Sequence, residues 1–186
     1  MQEAVVMNLR LPRTIAAIII GAALALSGAT YQSIFKNPMV SPDLLGVSSG
    51  ASVGAATAIL LSQGSAIIQL CAFAGGLIAV GITVAIPRLI RNESTIVLVL
   101  SGIVIGSLMS SIMNILKFIA DTDTQLAEIT YWMMGSFAKV SFSSMLPVLP
   151  TILLPVVLIL LLRYKLYVLS LGNNEAKTLW INLTVT

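Results

Sequence analysis

The chain has 186 residues, of which 58% are hydrophobic and 9% are charged, and its mean hydropathy is +1.02. Water-soluble domains carry about 25% charged residues, so this composition excludes an ordinary soluble domain and favours a protein embedded in a bilayer. The formal net charge of +3 is spread over short segments, which argues against nucleic-acid binding. With no His and a single Cys in an apolar stretch, the sequence predicts neither a disulfide framework nor a metal site.

Long uncharged stretches predict the membrane-crossing helices. One helical crossing needs about 20 apolar residues. The stretch over residues 44–87 is about twice that length, and a polar turn-forming cluster at residues 62–65 divides it. The sequence therefore predicts an all-α, polytopic transmembrane helical bundle with about five spans, at residues 14–34, 46–61, 66–87, 94–118 and 144–162.

Charged segments between the spans predict the orientation. Residues 88–93 and 163–177 are basic, and residues 121–128, which lie between them in the sequence, are acidic. Cytoplasmic loops are enriched in Lys and Arg, so the two basic segments are predicted to be cytoplasmic and the acidic one extracytoplasmic. Counting crossings back then places residues 1–13 outside, although Arg10 and Arg13 run against the rule there. An outside start and an inside end, five crossings later, are unusual for a complete protein, so we expect the chain to be truncated.

Small residues recur at every fourth position in two of the predicted spans: Gly46, Gly50, Gly54 and Ala58, and Gly102, Gly106 and Ser110. This spacing lets helix backbones approach closely, so it predicts tight helix packing. The first series is not a phosphate-binding loop, because Gly54 is followed by Ala55 and Ala56 and not by Gly-Lys-Ser/Thr. Any ATP-driven work therefore requires a partner protein.

Polar side chains within the spans are neutral, apart from Lys117 near the end of the fourth span. No acid, base or metal-ligand cluster occurs there, so the sequence predicts neither an enzyme nor a cofactor. The fourth span carries a polar stripe, formed by Ser107, Ser110, Ser111 and Asn114. Two interpretations stay open, namely that the stripe lines a pathway and that it makes hydrogen bonds between helices.

Two connecting segments have predicted shapes of their own. Residues 37–45 contain two prolines, which forbid a continuous helix and indicate a rigid, shaped connection. Residues 124–134 can form a short amphipathic helix, whose Tyr131 and Trp132 suit a membrane interface.

Short strings spread over the whole chain resemble one family of permeases. They are residues 10–13 (RLPR), 28–32 (GATYQ), 37–42 (NPMVSP), 45–51 (LGVSSGA), 100–102 (LSG), 131–136 (YWMMGS), 169–172 (LSLG) and 175–176 (EA). In this order they resemble the FecCD family, the permeases of iron-siderophore, haem and cobalamin ABC importers.

The resemblance implies a fold and a function. A subunit of that family has about ten helices and dimerises around a central pathway, so the chain would correspond to helices two to six, half of a type II ABC importer permease. It would work in the inner (cytoplasmic) membrane as a multi-pass protein. It would carry a metal chelate, with a ferric siderophore as the expected cargo. The implied partners are ABC ATPase subunits, an extracytoplasmic binding protein and a second permease subunit, most simply an identical copy.

The resemblance also implies roles for individual residues. Arg10 and Arg13 would dock the binding protein, and a cytoplasmic gate would include Asn37, Met39, Thr95 and Ile96. On the pathway interpretation of the polar stripe, which the residue spacing and not the resemblance suggests, Ser107, Ser110 and Asn114 would line the pathway. Residues 169–180 would couple to the ATPase through Leu171, Gly172, Glu175, Ala176 and Leu179, because a capped short helix there would place Ala176 and Leu179 on one face.

One alternative comes from a different class of protein. A membrane scaffold or assembly subunit would use the same small-residue packing without a transport pathway. A co-encoded ATPase and binding protein would distinguish the importer from the scaffold.

Overall fold

A computed structural model describes residues 5–38, 40–92, 94–138 and 140–171. A π-helical turn, Val6–Arg10, leads directly into the first helix, and a 3₁₀ turn, Pro42–Leu45, precedes the second. The α-helices are α1 Leu11–Phe35, α2 Val47–Leu60, α3 Ser65–Ile90, α4 Thr95–Ile119, α5 Gln125–Met134, α6 Phe142–Met145 and α7 Leu149–Leu171. The predicted all-α, polytopic helical fold is confirmed.

Helix ends follow local sequence signals. α1 has Pro12 in its first turn, directly after the π-helical turn, and proline supplies no N–H to the helical hydrogen-bond ladder there. Both α1 and α3 end at a residue in the left-handed conformation, Lys36 and Arg91 respectively. α4 begins after Ser94, whose side-chain oxygen accepts a hydrogen bond from the Val97 N–H at 3.3 Å.

Helix length separates the spans into two groups. Among the described residues, three helical segments are long and apolar enough to cross a membrane: Val6–Phe35, Ser65–Ile90 and Thr95–Ile119. Two apolar segments are shorter, Val47–Leu60 and Leu149–Tyr164. At 1.5 Å per residue, α2 is about 21 Å long, less than the roughly 30 Å hydrocarbon core of a bilayer.

The fifth span differs from its predicted bounds. Residues 144–162 were expected to form one helix, whereas α7 begins at Leu149 and continues to Leu171. Ser141 starts the separate short helix α6 through a capping box with Ser144. Pro147 has no backbone N–H and so cannot continue the helical hydrogen-bond ladder after α6, while Pro150 is tolerated in the first turn of α7.

The chain divides into two compact units. The first contains residues up to Ser41 together with those from Phe137, and in it α1 packs against α7 and α6. The second is Pro42–Ser136, in which α2 packs against α3, α4 and α5. Its core contains residues of α2, most of them alanine, and residues of the three helices around it, namely Ala55, Ala56, Ala58, Ile59, Ile68, Ala72, Met113 and Ile129.

Candidate functional site

The backbones of α2 and α3 are in close contact within the second unit. A Cβ atom added to Gly50 would lie 2.6 Å from the carbonyl oxygen of Gly75. A Cβ added to Gly54 would lie 2.8 Å from the carbonyl carbon of Cys71. Real Cβ atoms do not approach backbone so closely, so only glycine fits at either position. The predicted tight packing of the first small-residue series is confirmed.

The Pro42–Leu45 turn is fixed to α3 and α4. The Thr83 hydroxyl, which is fully buried, donates a hydrogen bond to the Leu45 carbonyl oxygen at 3.1 Å. Gly102 lies so close beneath the turn that an added Cβ would be 3.0 Å from the Leu45 Cα and closer still to the Leu44 carbonyl oxygen. Gly46 then turns the chain into α2 with a φ of 74°. The segment predicted to be rigid is therefore held, from Pro42 onward, by two helices.

Two of the predicted gate residues lie in the first turn of α4. Thr95 and Ile96 are exposed, and Ile96 keeps 79% of its surface accessible. Asn37 is also exposed, and its backbone N–H donates to the Gln32 carbonyl at 3.2 Å. Met39 lies outside the described residues. The gate stays a prediction.

The polar stripe of α4 is exposed along two helical turns. We call Ser107, Ser110, Ser111 and Asn114 the α4 polar strip, and each of the four is exposed. The three serine hydroxyls donate to carbonyls of their own helix, at Ile103, Gly106 and Ser107, over 2.9, 2.9 and 3.0 Å. Within the described part of the chain, no member of the strip bonds to another helix. The pathway interpretation of the strip stays a prediction.

The two predicted docking arginines have different surroundings. Arg10 is exposed, whereas Arg13 is half-buried. An Nη2 donor of Arg13 bonds to the Ala138 carbonyl oxygen at 2.7 Å, and its Nε atom is buried without a partner among the described residues. Arg13 therefore ties the start of α1 to the segment before α6, which the sequence did not indicate.

We expect Arg13→Gln to destabilise the first unit by about 1 kcal/mol, because it removes a hydrogen bond from a charged donor. Arg10→Gln is the matched control, since Arg10 is exposed and its loss should change the stability by less than about 0.5 kcal/mol. Thermal unfolding of the detergent-solubilised protein measures both. Equal midpoints for the two variants would contradict the structural role of Arg13.

The acidic segment between α4 and α5 is a hydrogen-bonded turn. The Thr124 hydroxyl donates to the Asp121 carboxylate at 2.6 Å, and the Gln125 side-chain oxygen accepts from the Asp121 N–H at 3.2 Å. The hydrogen bond from Thr124 is the largest cause that lowers the pKa of Asp121 below its usual value. Gln125 also donates from its side chain to the Leu60 carbonyl at 3.1 Å, which joins this turn to the end of α2.

Thr124→Val is expected to raise the pKa of Asp121 toward that of an ordinary aspartate, because it removes the hydroxyl donor. Since the native pKa is lowered, this contribution to stability is present above the unfolded-state pKa and is lost as the pH falls through the native pKa. An NMR pH titration of the Asp121 amide should therefore shift to higher pH in the variant, and Thr122→Val serves as a control. An unshifted titration would show that the Thr124 bond does not form in solution.

The predicted amphipathic helix is confirmed as α5, Gln125–Met134, but one side of it packs against protein. Ile129 is 1% exposed and lies in the core beside α2, whereas Tyr131 is exposed. The predicted coupling segment begins inside α7, which ends at Leu171. Its other predicted contacts, Gly172, Glu175, Ala176 and Leu179, lie outside the described residues.

Together these features define a class of protein. Long apolar helices, with glycine contacts in place of bulky side chains, are typical of a polytopic membrane protein. The sequence profile of the FecCD transport family matches residues 1–186. The chain belongs to the FecCD transport family.

Individual relatives agree with this assignment. The vitamin B12 import system permease proteins BtuC of Salmonella newport (strain SL254) and Salmonella schwarzengrund (strain CVM19633) are each 40% identical over 193 aligned residues, which cover 98% of this chain and 58% of theirs. A solved structure, described as an inward-facing metal-chelate type ABC transporter, superposes with a TM-score of 0.86 at 34% identity, over 98% of this chain and 58% of that one. The chain thus spans 58% of the length of these relatives.

Proposed function

We propose that the chain forms part of the membrane permease of an ATP-driven importer and carries a metal chelate across the cytoplasmic membrane. The observation that carries the proposal is the exposed neutral strip on α4, a helix long enough to cross a bilayer, in a chain of the FecCD transport family. A ferric siderophore is the cargo expected from the sequence. The similarity to vitamin B12 permeases adds a corrinoid as a second candidate.

The proposed partners each use a different part of the chain. The binding protein docks on Arg10, whose exposed charge can pair with carboxylates, and Arg13 holds the adjoining segment in place. The ATPase subunits bind residues 169–180. A second copy of the permease completes the pathway, and gating involves Asn37, Met39, Thr95 and Ile96. The chain itself performs no covalent chemistry.

The test is reconstituted uptake. The permease subunit that contains this chain is co-produced with its ATPase and placed in proteoliposomes with the binding protein and ATP. Uptake of a ferric siderophore and of vitamin B12 is then measured beside a control with a non-hydrolysable ATP analogue. ATP-dependent uptake of either chelate supports the proposal. Stable assembly without uptake of any chelate favours the membrane scaffold.

A further inference from the structure

Thr83 departs from the usual bonding of hydroxyl side chains inside helices. Within a helix, a Ser or Thr hydroxyl commonly bonds to the carbonyl one turn back, as Thr57 and Ser101 do here. The Thr83 hydroxyl instead leaves α3 and donates to the Leu45 carbonyl oxygen at 3.1 Å. It therefore joins α3 to the turn that precedes α2, 38 positions away in the sequence.

The Leu45 carbonyl depends on this donor, because no backbone N–H of the described residues bonds to it. Leu45 lies directly before Gly46, the N-cap of α2, so its carbonyl stands outside the helical hydrogen-bond ladder. Leu45 is 5% exposed and Thr83 is fully buried. A buried carbonyl without a partner is unfavourable, so loss of the Thr83 hydroxyl would drive the turn away from α3, toward water or another donor.

Glycine contacts hold the other side of the turn. A Cβ atom added to Gly46 would lie 3.3 Å from the backbone nitrogen of Gly106, and Gly102 supports the residues before it. The Pro42–Leu45 turn is thus held by a hydrogen bond to α3 on one side and by backbone contact with α4 on the other. We call Thr83, the Pro42–Leu45 turn and Gly102 the turn clamp.

The turn clamp and the predicted gate share α4. Thr95 and Ile96 lie in the first turn of this helix, two helical turns before Gly102 and about 10 Å from it along the axis. Both residues are exposed, whereas Gly102 is buried against the turn. A displacement of the start of α4 is therefore transmitted to the Pro42–Leu45 turn, and through Thr83 to α3.

We infer that Thr83 is a positioning residue for the cytoplasmic gate, because its hydroxyl makes the Pro42–Leu45 turn and the start of α4 move together with α3. The inference rests on the proposed function and adds to it a residue that links gate opening to ATP hydrolysis. Thr83 is fully buried, so it acts on the gate only through the turn. Without its hydrogen bond, α4 moves without the turn, and ATP is hydrolysed without complete opening of the gate.

Thr83→Val tests this link, because valine keeps the branched shape of threonine and removes the hydroxyl. The permease subunit that contains this chain is reconstituted with its ATPase and binding protein, and ATP hydrolysis and chelate uptake are measured together. The number of ATP molecules hydrolysed per chelate imported should rise about fivefold in Thr83→Val. Thr83→Ser keeps the donor and should restore the wild-type ratio, which a purely packing role of the side chain would not predict.

Ser101→Ala is the matched control. Ser101 is also buried, at 5% exposed, but its hydroxyl bonds to Val97 of its own helix at 2.7 Å. Its removal therefore leaves the turn clamp intact, and the ratio of ATP hydrolysed to chelate imported should stay unchanged.

Labelling of the gate is a second measurement, and it does not depend on uptake. In a cysteine-free background, Ile96→Cys should react with a water-soluble thiol reagent at different rates in the nucleotide-free and ATP-bound states. This difference should be lost when Thr83→Val is added, and it should persist with Thr83→Ser or Ser101→Ala. If Thr83→Val fails to assemble with the ATPase, Thr83→Ala takes its place, since the smaller side chain cannot clash.

The possible results distinguish the inference from the proposed function. An unchanged ratio and unchanged labelling in the variant without the hydroxyl would overturn the inference while leaving import intact. Labelling of Ile96→Cys that ignores ATP in an otherwise wild-type permease would also overturn it. Wild-type permease without ATP-dependent uptake of any chelate would instead overturn the proposed function.

Discussion

Gly102→Ala is expected to destabilise the second unit by about 1–3 kcal/mol, one of the two largest effects that we anticipate. An added Cβ would be 3.0 Å from the Leu45 Cα and closer to the Leu44 carbonyl oxygen. Both atoms belong to backbone, which cannot rotate away as a flexible side chain can. The Pro42–Leu45 turn would therefore have to move off α4, with strain on the hydrogen bond between Thr83 and Leu45.

Gly81→Ala is the matched control for this prediction. Gly81 lies within α3, and an added Cβ there would have no neighbour within 4 Å. Because alanine favours a helix over glycine by about 1 kcal/mol, this variant should be neutral or slightly stabilised. Thermal unfolding midpoints in detergent, read by size-exclusion chromatography, separate the two. A Gly102→Ala midpoint equal to that of Gly81→Ala would show that the turn does not rest on α4.

The second large effect is expected for Ile129→Ala, at about 2–4 kcal/mol. Ile129 is 1% exposed and fills the core between α5 and α2, so its truncation leaves a cavity that the short helix α5 cannot easily close. The loss should appear first as faster hydrogen exchange in α5 itself, since that helix has only ten residues.

Met134→Ala provides the comparison on the same helix. Met134 is 74% exposed, so its truncation should change the stability by less than about 0.5 kcal/mol. If the two variants exchanged their α5 amides at the same rate, α5 would be held by contacts other than Ile129.

The sequence predicted the helical elements because composition and charge spacing determine where a chain can cross a bilayer. It also predicted the glycine contacts, since Gly50, Gly54 and Gly102 recur with helical spacing. It did not predict which surface each glycine meets. Gly50 and Gly54 approach a helix, whereas Gly102 approaches a turn, and periodicity alone cannot distinguish these two partners.

Single polar residues were the hardest to interpret. Thr83 is a lone threonine in an apolar stretch, and only its proximity to Leu45 in three dimensions reveals its role. Arg13 looked like a surface charge, yet its guanidinium contacts Ala138, 125 positions away in the sequence. Such contacts depend on how distant segments meet, which no local pattern records.

The short length of α2 has a consequence for how the protein enters a membrane. With 14 residues rich in Gly, Ala and Ser, α2 is shorter than the roughly 17–25 residues of an ordinary membrane-crossing helix. The following helix, α3, has 26 residues and is strongly apolar. We therefore expect α2 to enter the bilayer only after α3 has emerged from the ribosome. The two helices would then insert together as a hairpin, in contact through Gly50 and Gly54 of α2.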